Sequence, residues 1–128
     1  MSLRSPVGRV LGLGSAGEGV GHWWTQRVTS VALVLLGLWF VFALIALPDR
    51  SYATVTAWIH EPFNAVMLAL FVGTSVYHSL LGLQVVVEDY VSNHGSKIVT
   101  MLALQFIHIV LGALGIFSVL RIAFGSAA

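Results

Sequence analysis

The chain has 128 residues, 58% of them hydrophobic and only 9% charged, with a formal net charge of +1 and a mean hydropathy of +0.94. A soluble domain wets its surface with about 25% charged residues, so this composition describes an integral membrane protein whose solvent is lipid. The small net charge leaves no electrostatic footprint for nucleic acid. The lack of cysteine excludes disulfides, thiolate nucleophiles, iron–sulfur ligation and covalent C-x-x-C-H haem attachment.

Residues 1–27 form a first unit rich in glycine, with Gly8, Gly12, Gly14, Gly17, Gly19 and Gly21. It is expected to be a flexible cytoplasmic tail that docks onto a partner. Gly12-Leu13-Gly14-Ser15-Ala16-Gly17 satisfies G-x-G-x-x-G, but a dinucleotide site needs a βαβ unit around that motif, and the rest of the chain leaves no room for one. Arg27 closes the segment. At the start of the first span it enforces topology or is available for charge-assisted hydrogen bonds.

Residues 28–128 form the second unit, a three-helix transmembrane domain. Its apolar spans cover 28–47, 63–87 and 98–120, bounded by Pro48-Asp49-Arg50, Glu61-Pro62, Glu88-Asp89 and Arg121. At about 1.5 Å per residue each can cross a hydrocarbon core of roughly 30 Å. In lipid each must be helical, because its backbone groups have no other partners. The first span exceeds a signal-peptide core, so an uncleaved helix is expected. Arg4, Arg9, Arg27 and Lys97 fall on one side, Arg50 and Arg121 on the other. The excess places the N-terminus in the cytoplasm. Trp23, Trp24, Trp58 and Tyr90 sit near span ends, where amphipathic rings settle.

Two ionisable residues lie inside the spans, His78 and His108, each ten residues from its cytoplasmic boundary, hence about 15 Å deep. A neutral imidazole at that depth is either a haem-iron ligand or a group hydrogen-bonded to a neighbouring helix. Around His78 the spacing adds weight to the first reading. Gly82 lies one turn on along the same face, where it leaves room for a flat macrocycle or for close helix packing. Asp89, eleven residues beyond His78, returns to within about 20° of that face, and Tyr90 follows. A phenol that donates to a quinone carbonyl and a carboxylate that relays protons suit quinone reduction. Singly, Tyr90 also fits an aromatic belt and Asp89 a helix end. Adjacent helices pack about 8–10 Å apart, too close for His78 and His108 to clamp one haem within this chain. A second axial ligand is therefore expected from another polypeptide, with His108 in a supporting or packing role.

His78-Ser79-Leu80-Leu81-Gly82, followed after six residues by Asp89-Tyr90, resembles the H-x3-G-x6-D-Y pattern of the small hydrophobic anchor subunit of succinate dehydrogenase, respiratory complex II. His22-Trp23-Trp24-Thr25-Gln26-Arg27-Val28-Thr29 resembles the W-x-Q-R-x-T-like lead-in to that family's first helix. The resemblance implies an all-α membrane protein that is half of a two-chain haem-binding helix bundle. It implies partners: a flavoprotein subunit, an iron–sulfur subunit and a second three-helix cytochrome b anchor. It also implies one haem b shared between the two anchors, with His78 as one axial ligand, and ubiquinone as the substrate reduced near Tyr90 and Asp89. Arg27 corresponds to an arginine near haem and quinone, and His22 is expected in the same vicinity. Succinate would be oxidised at flavin in another subunit, so no complete active site is expected in this chain. The implied location is the bacterial inner membrane, or the mitochondrial one in a eukaryote. Two other readings stay open at this point: a quinol:fumarate reductase anchor and a non-redox membrane assembly protein.

Overall fold

A computed structural model describes residues 19–125, all organised around four helices: α1 Gly19–Ala46, α2 Tyr52–His60, α3 Pro62–Tyr90 and α4 His94–Phe124. The motif at Gly12–Gly17 and the arginines at 4 and 9 lie outside the described residues. Three of the helices are long and apolar enough to cross a membrane. They have 28, 29 and 31 residues, which at about 1.5 Å per residue exceeds the hydrocarbon thickness. Their ends therefore reach through the headgroup region.

Local chemistry sets the boundaries. Ser51 caps α2 by accepting from Thr54 N, and Asp49 accepts from Ser51 N at 2.8 Å. Hydrogen bonds from the Ser51 side chain and backbone, then from Thr54, hold the exposed Asp49 carboxyl below its ordinary pKa. Pro62 opens α3 in its first turn, where its missing N–H costs nothing. Asn93 caps α4 by accepting from Ser96 N at 3.0 Å. Lys97 Nζ donates to Glu88 O at 2.8 Å, satisfying a carbonyl left over at the end of α3.

Helix α3 lies in the middle. It packs against α1 on one side and α4 on the other, whereas α1 and α4 do not touch among the described residues. The α3/α4 seam is closed by small residues. A Cβ on Gly112 would meet Val76 Cγ1 at 3.5 Å, and one on Gly115 would lie only 2.7 Å from Val72 Cγ1. Small residues let helix backbones approach where lipid offers no hydrophobic drive to association. At the Pro62 end, α2 folds onto α3 and α4, burying Ile59, Ala65 and Val119 with Trp58 and Val55 around them. Trp39 of α1 stacks on Trp58 at 5.7 Å and meets Phe63 edge-on at 6.4 Å.

Three helices in a row enclose little interior. Val31, Leu35 and Phe42 on α1 and Phe106, Ile109 and Phe117 on α4 are all largely exposed. Such a surface belongs against acyl chains or other hydrophobic helices.

Candidate functional site

Inside the α1/α3 seam, His78 of α3 meets Thr29 of α1, with Nδ1 at 2.8 Å from Thr29 Oγ1. Thr29 is buried, at 9% exposure, and His78 is half-buried. The helices run antiparallel here, so the next rung pairs Gln26 with Gly82. The Gln26 amide Nε2 lies 3.7 Å from where a Gly82 Cβ would sit. Gly82 thus faces α1, and the space over it holds the Gln26 side chain. Gln26 Oε1 is buried and has no hydrogen-bond partner among the described residues. A buried carbonyl oxygen without a donor is costly, and this one lies one turn from the imidazole.

His108 is arranged differently. The residue is buried, 8% exposed, with Nδ1 at 2.7 Å from Leu104 O and Nε2 at 3.4 Å from Ser79 Oγ. A carbonyl can only accept, so Nδ1 carries the proton and Nε2 faces the serine hydroxyl. Both nitrogens are matched within the chain.

The other residues singled out in the sequence lie toward the Tyr90 end. Asp89 and Tyr90 are exposed, Tyr90 at 82%. His22 is half-buried. It precedes Thr29 by seven residues, which brings it back to the same face of α1, toward α3. Arg27 is two residues from Thr29, so it points about 200° away; it is exposed and sits over the Trp23 ring at 5.4 Å. The fold therefore gathers His78, Thr29, Gln26 and Gly82. It leaves Arg27, Asp89 and Tyr90 open to whatever adjoins them. A cavity of about 570 Å³, almost wholly apolar, runs along α3 from His60 past Ala65, Ala69 and Gly73 to Tyr77 and Thr29.

Thr29 and Gln26 are the residues that reading the sequence did not assign. Their signal was present: two polar side chains one turn apart at the start of an apolar helix. Their meaning depends on the α1/α3 register.

The profile of the Succinate dehydrogenase/Fumarate reductase transmembrane subunit family matches residues 1–112. The chain belongs to that family. Among its relatives is the succinate dehydrogenase hydrophobic membrane anchor subunit of Rickettsia conorii, 36% identical over 76% of this chain and 78% of the relative. The protein of the same description from Paracoccus denitrificans is 30% identical over 90% of this chain and 88% of its own length. The succinate dehydrogenase membrane anchor subunit of Reclinomonas americana is 29% identical over 72% and 79%. No solved structure matches. Together with three apolar helices, these relatives make the chain a multi-pass inner-membrane anchor of the succinate dehydrogenase type, hence part of an oxidoreductase complex.

Proposed function

We propose that this anchor supplies, through His78, one axial ligand to a haem b shared with a second three-helix anchor chain. Tyr90 and Asp89 then rim a ubiquinone-reduction site at the cytoplasmic edge, and the chain holds the flavoprotein and iron–sulfur subunits to the membrane. The observation that carries this reading is the His78 ring. One nitrogen is tied to Thr29 at 2.8 Å, while the other makes no hydrogen bond among the described residues. That leaves one nitrogen open to a metal while an oxygen holds the other, as in iron-ligating histidines. His108, matched at both nitrogens, has none open. Gln26 Oε1, unpartnered among the described residues, adds a buried polar atom that expects a donor from beyond them.

When bound, haem supplies a one-electron carrier in the bundle. The residues of this chain do the rest by position. His78 is held inside the seam, where lipid and α1 exclude water. The Tyr90 phenol donates to a quinone carbonyl oxygen as that oxygen gains charge. Asp89 orders water beside it and passes on the two protons that accompany two electrons from the iron–sulfur subunit. Exposure of both residues suits half a site, whose other walls come from partner subunits. Arg27, on the outer face of α1, is free to meet a propionate or the quinone site from that side, and His22 lies on the seam at the same end.

The test is made on the intact complex. His78→Ala should abolish the low-spin b-type spectrum, while Tyr90→Phe should preserve it and depress succinate-driven ubiquinone reduction without slowing succinate oxidation by an artificial dye. Loss of axial ligation in His108→Ala but not in His78→Ala would refute the assignment.

A further inference from the structure

The contact that fixes His78 also determines which of its nitrogens can bind metal. Thr29 Oγ1 has three polar neighbours: Thr25 O at 2.8 Å, Gln26 O at 3.1 Å and His78 Nδ1 at 2.8 Å. A hydroxyl has one proton to donate, and carbonyl oxygens only accept. If that proton pointed at Nδ1, the hydroxyl oxygen would face two carbonyl oxygens with no hydrogen between them. In a buried position water cannot relieve that repulsion. With the proton directed back to the preceding turn of α1, as helical threonines commonly direct it, the oxygen is left as an acceptor. Nδ1 must then be the donor.

We infer that Thr29 is a positioning residue that fixes the tautomer of His78: its hydroxyl accepts from Nδ1–H and leaves Nε2 as the lone-pair nitrogen for iron. This rests on the reading of His78 as an axial ligand. The β-branched side chain has few rotamers within a helix, and its back-bond to Thr25 removes the remaining freedom, so the acceptor does not move. A hydrogen bond to Nδ1–H makes Nε2 more electron-donating. That favours ferric over ferrous iron and lowers the haem potential. Thr29 thereby tunes the site as well as orienting the ring.

The test compares Thr29→Val, which keeps the shape and removes the hydroxyl, with Thr29→Ala and Thr29→Ser in the intact haem-containing complex. The Val variant should show an upward shift in haem midpoint potential and haem loss faster by about 10-fold or more. The Ser variant should return both toward the wild-type values. A hydroxyl that merely packed two helices would not move the potential. Wild-type potential and haem retention in both Val and Ala variants would overturn the inference. So would failure of both to assemble beside a normal Ser variant, which would assign the hydroxyl to helix packing. His78→Ala is the control: if it keeps its low-spin haem, the ligand reading falls and this inference with it. If it loses that haem while Thr29→Val behaves as wild type, only the inference falls.

Discussion

On the α3/α4 side of the bundle, His108 is buried and both its nitrogens find partners, Leu104 O at 2.7 Å and Ser79 Oγ at 3.4 Å. On the α1/α3 side, His78 is half-buried and tied at Nδ1 alone. Around His108 the seam is built from glycines receiving aliphatic knobs. Around His78 it is built from Thr29, Gln26 and Gly82, and it contains a buried oxygen with no donor among the described residues. One seam is matched throughout, and the other leaves polar atoms unmatched among the described residues. Two histidines at similar depth in one membrane protein thus differ in how fully their nitrogens are matched, a difference that depth does not reveal.

The sharpest way to break this contrast is the pair of alanine substitutions. His78→Ala should eliminate the low-spin haem spectrum of the complex, and His108→Ala should leave it in place. Next in size is Tyr90→Phe. A hydrogen bond to an oxygen that gains charge is worth about 1.5–3 kcal/mol, so quinone reduction should fall roughly 10- to 100-fold, with haem content unchanged in visible spectra. Smaller effects probe the seams as packing. Gly115→Ala would force its new methyl group to within 2.7 Å of Val72, and should cost about 1–3 kcal/mol in thermal unfolding of the complex. Gly82→Ala meets the Gln26 amide at an ordinary 3.7 Å and should leave melting nearly unchanged. A drop in its haem content at unchanged melting would then report close approach of the macrocycle. Ser79→Ala removes only the long contact to His108 and should cost about 0.6 kcal/mol.

Much of the fold was legible because hydropathy in a membrane chain is a direct record of solvent. The three spans at 28–47, 63–87 and 98–120 fall within α1, α3 and α4 apart from Leu47. What hydropathy hid was helix that leaves the hydrocarbon. α1 begins at Gly19, well before Val28, because His22 to Arg27 continue the helix with polar and aromatic side chains suited to the interface. α2 was missed altogether, although Ser51 before Tyr52 is an ordinary N-cap signal. Its amphipathic run is too short to register as a span.

At the candidate site, the sequence singled out His78 and His108 from the cost of an ionisable group in lipid and already read them differently. Their hydrogen-bond partners were not legible, because those depend on which residue of the neighbouring helix faces each rung of α3. Periodicity gives the face of one helix but not its register against another. Gly82 shows the same limit. Spacing placed it beside His78, and only the pairing of helices puts the Gln26 amide over it.

The most direct measurement is a density map of the purified complex, with both anchor chains and the catalytic subunits present. The account predicts His78 Nε2 coordinated to haem iron, with Nδ1 still against the Thr29 hydroxyl and the opposite axial position filled by a histidine of another chain. Iron ligated through His108, or an imidazole 78 facing acyl chains with no tetrapyrrole beside it, would contradict it.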